Sequence, residues 1–168
     1  ANNLGGRGYR GICSAETNQL RRETVAREKG ITVIDHTIEP VEENGFDMVV
    51  DAVGGAETRR SASAAIKPGG VIVHIGLLEA EGGLDVRKMT LQEITFVGTY
   101  TYTMADFRDT VAAPHAAELG EVQCSETRPR AEGAAAFREL FEGRTGPATL
   151  FLLPCNPTSR VYALPLAR

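Results

Sequence analysis

The sequence predicts an α/β fold, a mostly parallel sheet with flanking helices, and three observations carry that reading. Phe46 to Leu77 reads as strand, helix, strand: FDMVVDAVGG, then ETRRSASAAI, then KPGGVIVHIGLL. Further short apolar runs rich in β-branched residues, Ile31–Ile34 and Ile94–Gly98, alternate with helical stretches. Hydrophobic residues make up 42% of the chain and charged residues 24%, with no tryptophan, which suits one soluble α/β domain of 168 residues.

Taken in order, Ala1–Arg10 is glycine-rich. Gly6-Arg7-Gly8-Tyr9-Arg10-Gly11 spells G-x-G-x-x-G. A phosphate loop must follow a strand and open a helix, whereas here a strand-like Gly11-Ile12-Cys13 follows, so an irregular leader is expected over residues 1–10. Ser14 to Lys29 reads as a helix with Ser14 or Thr17 as N-cap and Gly30 as its stop. Its apolar side is Leu20, Val25 and Ala26, and Arg21, Arg22, Glu23, Arg27 and Glu28 face water. Ile31–Ile34 is a strand, and the acidic Thr37–Gly45 segment with Pro40 is a loop or short helix.

In the central unit, Met48-Val49-Val50 is too short for a helix and reads as a strand buried on both faces. Glu57–Ile66 is a helix with Ala62, Ala65 and Ile66 on one side and Arg59 and Arg60 on another. Lys67-Pro68-Gly69-Gly70 reads as a turn into the strand Val71–Ile75. Two parallel strands joined by a helix form a right-handed crossover, and ligands of such sheets lie beyond the strands' carboxyl ends. Those ends, Ala52-Val53-Gly54 and Ile75-Gly76-Leu77, each carry a glycine that lets a ligand approach the backbone.

Beyond it, Arg87–Gln92 is a short helix and Ile94–Gly98 a buried strand that Thr99–Thr103 continues in alternation, with Tyr100 and Tyr102 on opposite faces. Met104–Leu119 is a helix that Pro114 kinks or ends. Glu121–Arg128 is a strand, and Ala131–Glu142 a helix with Ala134, Phe137, Leu140 and Phe141 on one face. Thr149–Leu153 is the last strand, and residues 154–168, without period and with further prolines, form a tail.

The net charge of −4, with scattered arginines, gives no footprint for nucleic acid. No apolar run reaches the roughly 20 residues of a membrane helix. Cys13, Cys124 and Cys155 are far apart and form no CxxC, which fits a reducing cytoplasm and neither a disulfide framework nor a zinc site. His36, His74 and His115 have no metal-ligand spacing, and His74 reads as a satisfied core histidine. Asp51 either accepts from a ribose or caps the turn through Gly54.

GFDMVVDAVGG, AAIKPGGVIVHIGL, LQEITFVGTYTYTMADFRD and ETRPRAEGAAAFRELFEGRTG together resemble the C-terminal, cofactor-binding half of the medium-chain dehydrogenase/reductase family. Within that family the zinc-type alcohol dehydrogenases and quinone-oxidoreductase-like proteins are most similar. The match runs from Gly11 to Leu153. It implies a Rossmann-type domain over residues 11–153, here truncated, with the family's first strand and Gly-rich loop missing. The Ile12 strand would then pair directly with the Met48–Val50 strand, or part of the sheet would be poorly ordered. The resemblance implies NADP or NAD as cofactor, with no zinc in this chain. By matching position, Cys13 and Ser14 would lie near the adenosine ribose, and Ala52, Val53 and Gly54 on the adenine side. Ile75, Gly76 and Leu77 would meet the nicotinamide carboxamide, with Gly98, Thr99 and Tyr100 further along that wall. Ser14 at the strand tip, with Glu16, Arg21 and Arg22 nearby, leans to NADP.

The resemblance also implies an oxidoreductase of alcohols, aldehydes, ketones or enones, whose catalytic domain lies outside this chain, so that the chain alone is not catalytic. A homodimer through the edge strand Phe96–Tyr102 is expected, with no nucleic-acid or membrane partner and a cytoplasmic location. Two other readings stand beside it. One is an S-adenosylmethionine-dependent methyltransferase, whose sheet ends in an antiparallel strand. The other is a non-enzymatic scaffold or dimerisation fragment.

Overall fold

The computed structural model describes residues 11–28, 30–115, 125–146 and 149–154. The leader, most of the tail and the residues 116–124 lie outside that set. The chain divides into two compact units, Ala1–Thr37 with Val111–Arg168, and Ile38–Thr110. All strand pairs of the described residues are parallel.

The Ile38–Thr110 unit holds strand β3 (Phe46–Asp51), helix α2 (Ala56–Ala65), β4 (Ile66–His74), α3 (Val86–Leu91) and β5 (Thr95–Gly98), with sheet order β3-β4-β5. α2 forms where the sequence runs to Ala and Ser without β-branched interruption apart from Thr58. Thr58 itself reaches back to the helix start: its Oγ1 accepts from the Gly55 N–H at 3.0 Å. The core is Ala62, Ile66 and Ile72, with Val49, Met89 and Ile94 packed against it. Val49, Ile72 and Phe96 stand in register across the sheet and share the face that α2 covers. The other face is Met48, Val50 and Val97, which are 40%, 44% and 43% exposed. The expectation of a strand buried on both faces therefore fails. So does that of a buried β5, each of whose residues is exposed.

Lys67–Gly70 does not close a turn before the strand. β4 begins at Ile66, directly after α2, and the KPGG residues form an excursion within it: Phe46 pairs Ile66 while Met48 pairs Val71. The glycines act as expected on a smaller scale, since Gly69 has φ +73 and donates to the Gln92 carbonyl at 2.7 Å. Thr99–Thr103 is irregular, not a continuation of β5. Tyr100 and Tyr102 are both exposed, Tyr102 stacking on Phe107 of the helix Met104–His115 with ring centroids 6.0 Å apart, and residues two apart would in any case share one face of a strand.

In the other unit, β1 (Ile12–Ala15) pairs β2 (Ile31–Ile34) around helix α1 (Gln19–Val25). The Ile12 strand thus finds its partner in β2, and the two form a two-stranded sheet of their own. The N-cap of α1 is Asn18, whose side chain accepts from the Arg21 N–H at 3.1 Å. Ser14 cannot cap because β1 extends through it, and Thr17 precedes the cap. β6 (Ser125–Pro129) pairs β7 (Thr149–Leu153), with α5 (Gly133–Phe141) between them. The inward residue of α5 is Ala136, while Phe137 and Phe141 are 72% and 94% exposed, so the expected apolar face lies outward. Helix α4 (Met104–His115) includes Pro114.

Candidate functional site

β3 and β4 run parallel, and their carboxyl ends are stitched together beyond the ladder. Ile75 N–H and Gly76 N–H both donate to the Asp51 carbonyl, at 2.9 and 3.1 Å. Leu78 N–H reaches the Val53 carbonyl at 3.2 Å and Glu79 N–H the Gly54 carbonyl at 3.0 Å. Gly54 and Gly76 meet at the centre of this junction. A Cβ on Gly54, which has φ +74, would lie 2.1 Å from the Gly76 oxygen, and one on Gly76 would lie 2.0 Å from the Val53 carbonyl carbon. Both glycines therefore serve backbone-to-backbone approach. Ala52, Val53 and Gly54 are brought against Ile75, Gly76 and Leu77, with Val53, Ile75 and Leu77 exposed. Among the described residues the Leu77 N–H and the Ile75 carbonyl make no hydrogen bond.

Asp51 settles into the second of its two readings. It is 5% exposed. Oδ1 accepts from the Val53 and Gly54 N–H groups at 3.1 and 2.8 Å, and Oδ2 from the Thr58 hydroxyl at 3.1 Å. The carboxylate is thereby committed to shaping the turn. His74 Nδ1 stands 3.7 Å from Oδ2 and, among the described residues, has no hydrogen-bond partner. It is not the satisfied core histidine expected, although its ring packs edge-on against Phe96 at 5.4 Å.

The residue that sequence reasoning missed is Arg59. Expected on a helix face away from the core, it is 4% exposed. Its guanidinium donates to the carbonyls of Gly54 at 2.8 Å, Glu79 at 3.0 Å, Gly82 at 2.5 Å, and Glu81. Periodicity does not reveal this, because the partners are backbone atoms. The only signal was the i, i+3 spacing to the buried Ala62.

Gly98 pairs His74 in the ladder, Thr99 N–H donates to the His74 carbonyl at 3.0 Å, and Tyr100 is 81% exposed. A Cβ at Gly98 would meet nothing within 4 Å.

Cys13 and Ser14 lie in the β1 strand of the other unit, and burial pushes the Cys13 thiol up. The strand ends at Ala15, so the first residue past its tip is Glu16, whose N–H donates to the Ile34 carbonyl at 3.0 Å. Arg22 is not free for a phosphate. It pairs Asp35 at 2.6 Å and donates to the Glu16 and Thr17 carbonyls at 3.0 and 2.6 Å. Of the two arginines near the strand tip, Arg22 is thus engaged, whereas Arg21 Nε has no hydrogen-bond partner among the described residues.

The profile of the zinc-binding dehydrogenases matches residues 19–115. The chain belongs to that family. D-xylulose reductase of Saccharomyces cerevisiae is 27% identical over 82 residues, 49% of this chain and 23% of that protein. The structure of acetophenone reductase from Geotrichum candidum in complex with NAD superposes with a TM-score of 0.74 at 16% identity, over 89% of this chain and 44% of that one. That of 2R,3R-butanediol dehydrogenase from Bacillus subtilis gives 0.77 at 16% identity, over 92% and 46%. That of Escherichia coli YhdH with bound NADPH gives 0.70 at 16% identity, over 90% and 50%. At such identities the likeness is one of fold and bears out the Rossmann-type expectation, while the dehydrogenase family resemblance is borne out by the profile match. The chain spans half or less of the length of these proteins.

Membership of this family raises the question of a metal. Among the described residues no three His, Cys, Asp or Glu side chains converge, so these residues do not fit a zinc ion. No helix among them is long and apolar enough to cross a membrane.

Proposed function

We propose that this chain is the nicotinamide-dinucleotide-binding portion of an NAD(P)-dependent oxidoreductase that moves a hydride between the cofactor and an alcohol, aldehyde, ketone or enone. The observation that carries this reading is the junction of the β3 and β4 tips. Parallel strands end side by side there, and the Leu77 N–H and Ile75 carbonyl remain unpaired among the described residues. A carboxamide offers one acceptor and an amino donor, and an N–H beside a carbonyl is its complement. Ile75, Gly76 and Leu77 hold the nicotinamide end in this reading. Gly98, Thr99 and Tyr100 extend that wall, Ala52, Val53 and Gly54 border it, and Cys13 and Ser14 serve the adenosine ribose. When bound, the cofactor supplies the hydride chemistry; the chain's own residues bind and orient it, without catalysing alone.

Of the two cofactors we favour NAD. Glu16, just past β1, is the carboxylate that a ribose 2′-OH would use, through Oε2 since Oε1 accepts from the Asn18 N–H at 2.8 Å, and Arg22 is already neutralised by Asp35. The parallel β6–β7 pair also favours a dinucleotide fold over a methyltransferase, whose sheet would end antiparallel. The same reading includes a homodimer through the β5 edge, Phe96–Tyr102, in the cytoplasm. Calorimetric titration of the purified chain tests the cofactor. NADH should bind about tenfold or more tighter than NADPH, and Glu16→Ala should erase the preference. If neither nucleotide binds or shifts the melting temperature at millimolar concentration, the fragment is a scaffold.

A further inference from the structure

We propose that Arg59 is a positioning residue, which clamps the Glu79–Gly83 loop onto α2 and thereby sets the nicotinamide end of the site. The inference rests on the cofactor reading above.

The argument begins with the cost of the side chain. A guanidinium buried without a carboxylate loses its hydration and recovers it only through hydrogen bonds. Each partner of Arg59 is a backbone carbonyl. An apolar side chain would fill the same space more cheaply, so what Arg59 provides is geometry. Its planar fork holds the loop after β3, at Gly54, and the loop after β4, at Glu79, Glu81 and Gly82, in one fixed relation. A second tether acts at the same place: the Glu79 carboxylate accepts from the Ala56 N–H, the first of α2, at 2.6 Å. Gly83, with φ +85, lies so close that a Cβ there would stand 1.9 Å from the Ala56 oxygen. The loop so fixed begins where Ile75-Gly76-Leu77 ends. The Leu77 N–H lies between the Gly76 and Leu78 N–H groups that the Asp51 and Val53 carbonyls hold, and Arg59 fixes the segment that follows directly.

The test compares two probes on the full 168-residue chain. NADH carries the nicotinamide, and ADP-ribose is the same molecule without it. Dissociation constants come from NADH fluorescence and from competition by ADP-ribose, with melting temperatures recorded alongside. Arg59→Lys keeps the charge but cannot bridge both loops. It should raise the NADH constant about tenfold, the value of one well-placed hydrogen bond, while ADP-ribose stays within about twofold. A purely structural arginine would move both constants together, in step with the melting temperature. That result, or no change in either, overturns the proposal. A wild-type chain that binds neither probe instead removes the cofactor reading beneath it. Should Arg59→Lys not fold, Glu79→Ala, a change at an exposed residue, decides by the same ratio with about a threefold rise expected for NADH alone.

Discussion

Gly54, just past β3, and Gly98, at the end of β5, make opposite demands on substitution. Gly54→Ala must place a methyl group 2.1 Å from the Gly76 oxygen while holding φ at +74, so either the strand ends separate or the turn refolds. A loss of about 3 kcal/mol or more is expected in urea unfolding. Gly98→Ala enters open space and should stay within about 0.5 kcal/mol of wild type. Equal losses would mean that the glycines serve the chain's flexibility and not this close approach. A second residue sets the acid limb of stability. The Thr37 hydroxyl bonds Asp35 at 2.5 Å and holds its carboxyl below the ordinary carboxylate value, with Arg22 adding to the effect. A depressed carboxyl contributes stability above its unfolded value, and that contribution drains away as pH falls through the folded one. Asp35→Asn should therefore flatten the decline in stability below about pH 4, measured by urea titration across that range. A variant that declines as steeply as wild type would assign the acid limb to other carboxylates.

Helix α1 shows how an element's stability can reside at its end. It has 7 residues and buries none of them, too short to persist by propensity. Asn18 supports it from both sides: Oδ1 caps the Arg21 N–H, and Nδ2 donates to the Gly143 carbonyl at 2.6 Å. Asn18→Ala should cost about 1–2 kcal/mol, and Asn18→Asp, which keeps the cap but not the second bond, should recover part of it. Full recovery by aspartate would show that the Gly143 bond adds nothing. The sequence pattern put a helix over Ser14–Lys29 where α1 spans Gln19–Val25, and its start was misplaced because a capping residue is legible only once the preceding strand's length is known. Elements whose apolar residues face a covered surface, such as β4 with Ile72, were legible in type, although β4 begins at Ile66 and not at Val71. The outward face of Val50 and Val97 was not, since a β-branched run looks the same whether one side or both are buried. At the site, the paired glycines could be read as needing φ > 0 or close approach, but not what approached them. Arg59 was invisible because its partners are carbonyl groups, which every sequence contains.

At the scale of the whole molecule, the β5 edge is open among the described residues, as is the β3 edge on the opposite side of the same sheet. β5 pairs only β4 in the three-stranded sheet, and its Phe96 and Val97 are 36% and 43% exposed. An edge with free peptide groups and apolar side chains is a template for another strand, and no proline or lysine lies within Thr95–Gly98 to discourage pairing. Two copies related by a two-fold axis can meet there with the same surface on each, closing the assembly at two. The proposed homodimer is thus the simplest state in which this edge finds hydrogen-bond partners. Sedimentation equilibrium should give a mass near twice the 18.0 kDa of one chain. Val97→Lys puts a charge on the edge and should return a monomer with the far-ultraviolet spectrum of the wild type. Because Val97 faces away from the side that carries His74, the variant should leave NADH affinity within about twofold, separating assembly from binding. A wild-type chain that sediments as a monomer would leave the edge to a different partner.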